Sequence, residues 1–491
     1  MSKTLSIFIF HRDFRLEDNT TLIALAKEHT SPILPIFIFT PDQIDAQKNP
    51  YFSHPSVQFM CESLDDLGDQ LKDLGRTLYC FKGDTLRIVQ ALVKTARNAQ
   101  RTITAIGWNE DYSVYAVQRD KALREWCESN GIQCVVKEDY GLLPLRTGLL
   151  PDGRPYRVLS QFYKKILKME PTGILRAPAT WRWNESHFAQ IPFALSKKDG
   201  LQIISSKDYH TLYTPLPQLA IHGGRHRGLE MLQRIRAGTY KDYTGQRDFP
   251  AKAMTTRASP HLKFGTVSIR EMLQTIRQKE GLGHGLIREL VFRDFYMKIY
   301  ALQPNLQRGV ALLDALDKAI PWSYDKKLFH TWTTGTTGYP LVDAGMRELN
   351  TTGFQHNRVR MLTSSVLTKY FLIDWRWGLK YFYQHLVDAD IFSNTAGWGF
   401  SSSTGADAVP YFRAPFNPFI QSQKFDRDAV YIRQWVPELA SVAAADIHRW
   451  YDPAIRAKYP SLPYPAPVID HKEASARAMK VFRTAAEKTK E

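Results

Sequence analysis

The sequence predicts an α/β fold class for the N-terminal part, a doubly wound parallel-sheet domain, followed by a larger all-helical domain. Three observations lead to this prediction. A chain of 491 residues exceeds what one hydrophobic core usually organises. Up to about residue 140, short apolar runs rich in β-branched and aromatic residues alternate with amphipathic segments. After about residue 226, apolar residues recur at helical spacing in one segment after another.

The N-terminal part contains five segments with the composition of buried strands. Strands are predicted at residues 5–10, 32–39, 77–83, 103–108 and 132–138. Because segments of helical period separate them, the strands should be parallel and joined by right-handed crossovers. Ligands of such sheets bind at the carboxyl ends of the strands. No G-x-G-x-x-G follows the first strand, which disfavours a dinucleotide held in the usual Rossmann manner.

The composition changes twice along the chain and divides it into three parts. We predict an α/β domain at residues 1–140, a connecting linker at residues 141–225 and a helical domain at residues 226–491. The linker carries scattered prolines and reads as a long surface connection with a few helical turns. The basic tail is either a short amphipathic helix or a frayed end.

Charge and composition narrow the class of partner. The chain has 65 Lys and Arg against 49 Asp and Glu, a net charge of +16, which favours an anionic partner such as nucleic acid or an acidic membrane surface. There is no run of about 18 apolar residues, so we expect a soluble intracellular protein, in cytoplasm or nucleus, with no membrane partner. Four cysteines without a C-x-x-C pair disfavour a disulfide framework or a metal site.

A hydroxyl-rich turn precedes one of the predicted helices. Thr255, Thr256, Arg257 and Ser259 lie just before the segment SIREMLQTI. Free backbone N–H groups and an arginine near helix starts can hold a phosphate. Ordinary N-caps have the same composition, so both interpretations stay open at this point.

Two helical segments place polar and apolar groups on one face. Glu289, Phe292, Arg293 and Tyr296 follow i, i+3, i+4, i+7 spacing and could line a pocket. The alternative is an amphipathic helix in which Glu289 and Arg293 form an i, i+4 ion pair.

The same spacing brings Asn357, Arg360 and Met361 together on a second helix, with Arg358 on another face. An amide, a cation and a thioether form an unusual core stripe, which favours a site.

The segment 387–413 is rich in Gly and Ser and has little helical propensity. It carries Asp388, Asp390, Asn394, Trp398 and Phe400, a density of polar and aromatic groups that indicates a site. A calcium loop is disfavoured because the ligand spacing and the closing glutamate are missing.

Three tryptophans stand far apart in the sequence, Trp322, Trp375 and Trp398. They are either core residues or a chain for electron hopping.

Together these segments resemble the photolyase and cryptochrome family. The resemblance runs from HRDFRLEDN at 11–19 to WVPEL at 435–439 and includes YTGQRDFP, SPHLKFG, RELVFRDFY, TGFQHNRVRM and NTAGWGFSSSTGADAVPYFR. It implies an N-terminal α/β antenna domain, a long linker and a helical domain. That domain would hold FAD, folded into a U, in a cavity that opens on a basic surface.

The resemblance assigns residues of this chain to the cofactor. Arg360 and Asp388 would form an ion pair against the isoalloxazine ring, Asp390 would contact the polar edge of the ring, and Asn394 would face N5. The full set implied to bind FAD is Tyr243, Thr255, Thr256, Arg257, Ala258, Ser259, Leu262, Arg360, Asp388, Ala389, Asp390 and Asn394. The tryptophans Trp322, Trp375 and Trp398 match the family's photoreduction chain.

The resemblance also implies light-dependent repair of cyclobutane pyrimidine dimers in damaged DNA. Excited FADH⁻ would donate an electron to the flipped-out dimer, the ring would split, and the electron would return. The implied catalytic residues are Glu289, Asn357, Met361 and Asn394. Those implied to bind DNA or lesion are Arg247, Glu289, Phe292, Arg293, Tyr296, Asn357, Arg358, Phe400, Arg413 and Gln421. Enzymes acting on (6-4) photoproducts differ by having histidines at the positions of Asn357 and Met361.

Departures from the pattern keep alternatives open. Phe292 and Phe400 stand where dimer-repairing relatives commonly have tryptophans that clamp the lesion, so a blue-light cryptochrome that signals through protein partners is the second interpretation. A basic nucleic-acid binder without catalysis would require that flavin be absent. At the antenna site, Ser113 stands where folate-binding relatives often have a glutamate, which leaves a folate, a deazaflavin or no antenna. We expect a monomer.

Overall fold

The computed structural model describes residues 3–170, 173–195, 200–406 and 416–489. Its N-terminal part contains a five-stranded parallel sheet of order β3-β2-β1-β4-β5. The strands are β1 (Thr4–Phe10), β2 (Ile33–Phe39), β3 (Tyr79–Lys82), β4 (Thr102–Asn109) and β5 (Gln133–Lys137). All five predicted strands are therefore present, with ends that differ from the prediction by at most two residues.

Alternate residues of the central strands point to opposite faces of the sheet, and both faces are covered. Phe8, Phe10 and Phe37 belong to one buried cluster, while Ile7 and Ile9 belong to another. This is why the strands read as almost continuous apolar runs in the sequence.

The helices that accompany the sheet are α1 (Thr20–Glu28), α2 (Pro41–Ile44), α3 (His54–Asp73), α4 (Thr85–Asn98) and α5 (Val114–Ser129). The region predicted as a linker contains α6 (Leu159–Met169) and α7 (Ser206–Tyr209), with short 3-10 turns at Glu185–His187 and His210–Leu212. Helix α6 buries Leu159, Phe162 and Ile166 in the core shared with later helices, so this part of the linker is packed. The domain boundaries at 140 and 225 stay predictions.

The rest of the described chain is helical and has no named strand. Its first helices are α8 (Arg225–Arg236), α9 (Tyr243–Gln246), α10 (Ser259–Phe264), α11 (Ile269–Glu280), α12 (Gly285–Leu302), α13 (Asp314–Ala319), α14 (Lys326–Thr334) and α15 (Pro340–Thr352). They are followed by α16 (Asn357–Ser365), α17 (Trp375–His385), α18 (Ile391–Ser401), α19 (Pro418–Phe425), α20 (Val430–Trp435), α21 (Ala444–Ile447), α22 (Pro453–Arg456) and α23 (His471–Lys488). Further 3-10 turns lie at Pro250–Lys252, Pro304–Arg308 and Pro437–Leu439, and a π-helical turn at Val366–Tyr370. Within the described residues, no helix combines the length and apolarity needed to cross a bilayer.

The expectation of little helix in the Gly- and Ser-rich segment was wrong for residues 391–401, which form α18. Asp390 begins this helix as its N-cap, because its Oδ1 accepts hydrogen bonds from the backbone N–H groups of Phe392 and Ser393 at 3.1 and 3.0 Å. Packing of Trp398 and Phe392, both buried, stabilises a helix that propensity alone disfavours.

Ion pairs join the α/β domain to the helical part. Arg270 of α11 contacts Asp18 at 2.8 Å and Asp139 at 2.6 Å, and Arg15 contacts the other oxygen of Asp139 at 2.6 Å. These carboxylates lie beside the carboxyl ends of β1 and β5. The edge of the sheet where ligands usually bind therefore faces the helical region.

Candidate active site

A cavity of about 430 Å³ lies among α10, α12, α16 and α18. It has the size of a small-molecule site and opens to the surface. Twenty residues singled out in the sequence line it: Tyr243, Thr255, Thr256, Arg257, Ala258, Ser259, Leu262, Glu289, Phe292, Arg293, Tyr296, Asn357, Arg360, Met361, Asp388, Ala389, Asp390, Asn394, Trp398 and Phe400. Segments separated by more than a hundred residues thus meet at one cavity.

An ion pair lies on the cavity wall. Arg360 Nη2 contacts both carboxylate oxygens of Asp388 at 3.1 Å, and Ser259 Oγ donates to Asp388 Oδ2 at 2.5 Å. Asp388 is buried and Arg360 is partly exposed to the cavity. The pair can therefore present one cation to an anionic or electron-rich ring without leaving an uncompensated charge behind it.

The hydroxyl-rich turn contains a backbone conformation that L-residues seldom adopt. Arg257 has φ +51°, in the left-handed region, and its guanidinium lies 4.9 Å from the centre of the Phe354 ring. Such conformations cost about 1–3 kcal/mol and cluster at functional sites. The conformation turns the chain just before α10, so that Thr255 and Thr256 reach the cavity wall.

Asp390 has hydrogen-bond partners within the protein in addition to its predicted contact with the cofactor edge. Its Oδ2 accepts from Tyr140 Oη at 2.6 Å and from Arg12 Nη1 at 3.1 Å, while Oδ1 caps α18. Burial raises the pKa of this carboxyl, but Arg12 and Arg293 more than offset that effect, and the net pKa is lowered. Asp390 lines the cavity, and its own bonds show that it fixes the start of α18.

Asn394 offers the cavity an unused donor. Its Nδ2 is buried and has no hydrogen-bond partner among the described residues. A buried amide donor without a partner is uncommon in folded proteins and points to a ligand. Nearby Gly397 also faces open space, since an added methyl group there would meet no atom within 4 Å. A cavity with a hydroxyl-rich turn, a cation and an unpaired amide fits a flavin dinucleotide.

Two ion pairs involve arginines that were predicted to bind DNA. Arg247 pairs with Glu289, and Arg358 Nη2 contacts Asp248 at 2.8 Å. The alternative i, i+4 pair between Glu289 and Arg293 is wrong as a description of α12. Arg293 instead donates to the backbone oxygen of Tyr140 at 2.8 Å. Burial, followed by the charge of Glu289, raises the pKa of Tyr243 to about 12, so its hydroxyl stays protonated.

The predicted lesion contacts share the cavity wall with aromatic rings. Phe292 and Phe400 are both partly exposed, and Phe292 packs 4.6 Å from the Tyr296 ring. Arg358 Nη1 lies 3.9 Å from Met361 Sδ. Asn357 is the first residue of α16, which brings its amide to the cavity rather than to the helix interior.

Several predicted residues lie elsewhere. Trp322 and Trp375 do not line the cavity, and Gln421 lies on α19. Arg413 lies outside the described residues.

Sequence reasoning missed some cavity residues. Tyr140 follows β5, and its position at the carboxyl end of a strand was a usable signal. Lys263 belongs to the quoted string SPHLKFG but was not singled out. Its Nζ donates to Ser56 Oγ of α3 at 2.6 Å, and burial lowers its pKa to about 8. Phe354, Gln355 and Phe382 were missed because nothing in the local sequence distinguishes them from core residues.

A second, smaller cleft lies at the carboxyl ends of β1, β4 and β5. It is lined by His11, Arg12, Asn109, Glu110, Asp111, Asp139 and Tyr140. Ser113, which was examined for an antenna contact, is the N-cap of α5, with Oγ accepting from the N–H of Ala116 at 3.3 Å. A glutamate recognising a pterin has no counterpart at this position.

The chain matches known proteins along most of its length. The family profile described as DNA photolyase matches residues 6–179, and that described as FAD binding domain of DNA photolyase matches residues 286–484. A deoxyribodipyrimidine photo-lyase of Vibrio cholerae is 32% identical over 97% of this chain and 98% of its own.

Solved structures give the same result. A photolyase of Sulfolobus tokodaii, solved with two FAD molecules, is 34% identical, with a TM-score of 0.81 over 98% of this chain and 100% of its own. A Synechocystis cryptochrome is 25% identical, with a TM-score of 0.84 over 97% and 99% of the two chains. These matches confirm the predicted fold class and FAD as the cofactor. The chain belongs to the DNA photolyase family.

Proposed function

We propose that the protein repairs cyclobutane pyrimidine dimers in DNA with light, using reduced FAD. One observation carries the proposal: the unpaired Asn394 amide and the Arg360–Asp388 pair line the same cavity as Glu289, Asn357 and Met361. Cofactor and lesion could therefore lie in direct contact. When bound and excited, reduced FAD supplies the electron that opens the cyclobutane ring and receives it back, so there is no net redox change.

The cofactor half of the cavity has a consistent electrostatic role. Arg360 offers positive charge where the reduced cofactor carries negative charge, and Asp388 holds the guanidinium in place. The Asn394 amide can donate a hydrogen bond but has no acidic proton to lose, so it favours the reduced form without protonating it.

The lesion half combines stacking surfaces with polar groups. Phe292 and Phe400 give the flipped bases apolar surface, with less area than tryptophan would offer. As a carboxylate paired with Arg247, Glu289 only accepts hydrogen bonds. When a DNA phosphate draws Arg247 away, the Glu289 side chain becomes free to face the dimer carbonyls, where negative charge develops.

DNA is recognised mainly through its phosphates in this proposal. The net charge of +16, together with Arg247 and Arg358, supports phosphate contacts around a flipped-out dimer. Flipping a damaged, poorly stacked dinucleotide costs less than flipping normal bases, which helps to select the lesion. Arg413 and Gln421 remain proposed contacts of the same surface. Trp322, Trp375 and Trp398 are proposed to return oxidised cofactor to the reduced state.

The test is repair of a thymine-dimer oligonucleotide by purified, chemically reduced protein under blue light. A dark reaction is the control, and a (6-4) photoproduct serves as the second substrate. Restoration of thymine from the dimer, only in light, is the expected result. A protein that binds FAD and photoreduces it, yet repairs neither substrate, would favour blue-light signalling as in cryptochromes.

A further inference from the structure

Asp317 joins two of the tryptophans proposed for electron transfer. The indole Nε1 of Trp375 and that of Trp322 both donate to Asp317 Oδ1, at 3.0 and 3.1 Å. One carboxylate oxygen therefore bridges the two indole nitrogens through two hydrogen bonds. Asp317 is 3% exposed, so water does not screen this contact effectively.

The other oxygen of Asp317 is fixed by an arginine. Arg376 Nη2 contacts Asp317 Oδ2 at 2.5 Å, Nε donates to the backbone oxygen of Gly309 at 2.8 Å, and Nη1 contacts Asp374 at 3.1 Å. The guanidinium also lies 4.6 Å from the centre of the Trp375 ring. Because the arginine is held at three points, the carboxylate cannot turn away from the indoles.

The third tryptophan lies at the cavity wall, next to the helix that carries Trp375. Trp398 lines the cavity and packs against Gly378, which is on the same helix as Trp375. Trp375 and Trp398 are both buried, whereas Trp322 is partly exposed. The three indoles therefore extend from the cavity wall to the surface.

We propose that Asp317 is a positioning residue for electron entry, which stabilises the positive charge left on Trp375 or Trp322 when an electron moves toward the cavity. This rests on the proposed function of the three tryptophans. Oxidation of an indole makes its N–H group a stronger donor, so a hydrogen bond to a carboxylate strengthens as the charge appears. A tryptophan cation that is stabilised far from the cavity recombines more slowly with the electron that has moved to the cofactor.

The electron count is as follows. Trp398 gives one electron to oxidised FAD, Trp375 refills Trp398, and Trp322 refills Trp375. A soluble thiolate fills the remaining vacancy on Trp322 and becomes a thiyl radical. Full reduction of bound FAD would take two such transfers, and the two thiyl radicals combine into one disulfide. No covalent bond forms or breaks in the protein, and the indole proton stays in its hydrogen bond to Asp317.

A second row of rings provides the rival path. The ring centres of successive members are 6.2 Å apart for Trp398 and Trp332, and 5.8 Å apart for Trp332 and Phe329. The row continues over 5.1 Å from Phe329 to Trp377 and 5.7 Å from Trp377 to Tyr324. Tyr324 is 60% exposed. This row reaches the surface without either tryptophan that donates to the carboxylate, so the two paths can be separated by substitution.

The experiment compares wild type with Asp317→Asn, which removes the charge and keeps one oxygen to accept from both indole N–H groups. The amide nitrogen then replaces Oδ2, so the contact with Arg376 Nη2 is lost as well. Proteins with bound oxidised FAD are illuminated with a thiol present, and tryptophan cation decay is followed by transient absorption. We expect photoreduction about tenfold slower and a cation lifetime shortened by a similar factor, the difference between a charged and a neutral acceptor. Asp314→Asn is the matched control, since it removes a carboxylate from the same helix that pairs with Lys318 and with no indole.

A second variant keeps the inference testable if Asp317→Asn loses FAD. Arg376→Lys keeps a positive charge but loses the three-point hold on the carboxylate, so it should shorten the cation lifetime, as Asp317→Asn does. Wild-type rates in Asp317→Asn, or slowing confined to Tyr324→Phe, overturn the role of Asp317 alone. Wild-type protein that binds FAD and is not photoreduced overturns the proposed electron chain together with it.

Discussion

The carboxylate of Glu289 forms an ion pair with Arg247 at the cavity. Glu289 is one of two charged residues of α12 that line the proposed lesion site. Replacing it with alanine should leave FAD bound and lower the repair yield several-fold, because an oriented polar group next to developing charge is lost. Glu289→Gln should retain more activity than alanine, since its amide can still donate to a carbonyl. Repair yield per absorbed photon, at equal FAD content, measures both. An alanine variant with wild-type yield would contradict the role.

His261 gives the protein a specific sensitivity to acid. Burial, followed by the charge of His226, lowers its pKa from 6.5 to about 4, and its Nδ1 shares a hydrogen bond with Thr266 Oγ1 at 2.8 Å. A depressed folded-state pKa means stability that is present above pH 6.5 and is lost as pH falls toward 4.

Between pH 7.5 and 5.0 this group should cost the wild type about 2 kcal/mol of unfolding free energy, and His261→Gln should lose correspondingly less. Urea unfolding of both proteins at the two pH values provides the measurement. Equal losses in the two proteins would mean that folding does not lower the pKa of His261.

At this scale the sequence identified many of the residues that line the site but not how they pair. The local spacing of Glu289 and Arg293 suggested an ion pair within one helix, whereas the structure pairs Glu289 with Arg247 and directs Arg293 to a backbone oxygen. Spacing along a helix cannot show partners that arrive from another segment. Asp390 is similar, because Arg12, one of its partners, is 378 residues away.

Helices α17 and α18 depend on a close approach at Gly378. A methyl group added there would lie 2.0 Å from Trp398 Cη2 and 2.4 Å from Cζ3. Gly378→Ala should therefore displace Trp398, destabilise the protein by about 1–3 kcal/mol and slow photoreduction. Repair by pre-reduced protein should change less. Thermal unfolding with FAD bound, together with photoreduction rates, checks both effects. Gly68→Ala, on α3 and away from the cavity, is the matched control for unfolding, because an added methyl group there meets no atom within 4 Å.

The element scale also shows why α18 escaped prediction. Gly, Ser and Asn make up five of its eleven residues, and each disfavours a helix on its own. The Asp390 cap and the buried side chains Phe392 and Trp398 compensate through contacts with distant segments. Strands β1 and β2 were predictable because burial on both faces leaves a continuous apolar run in the sequence.

Across the whole molecule, excess positive charge should make DNA binding strongly dependent on salt. Each phosphate contact contributes about 0.9 to the slope of log affinity against log salt. Arg358→Ala should reduce the slope by about one for damaged and undamaged duplexes alike. Lys121→Ala, an exposed residue of α5 away from the cavity, should leave the slope unchanged. Fluorescence anisotropy at several salt concentrations tests this, and an unaltered slope for Arg358→Ala would remove it from the DNA surface.

The order of α/β and helical regions followed from hydrophobic period alone, and the family resemblance supplied the cofactor. The way the regions meet was not visible in either. Tyr140 from the end of the sheet and Lys263 from the helical part both reach the cavity, and only the three-dimensional structure brings them together.

The contact of Arg12 with Asp390 limits how the sequences of the two regions can diverge in evolution. A residue next to the first strand holds the carboxylate that starts α18, and Tyr140 holds the same oxygen. Substitutions on one side must be accepted by the other, so the two regions are constrained to diverge together. A chimera that joins the sheet domain of one relative to the helices of another should fold with FAD only when these three positions come from compatible parents.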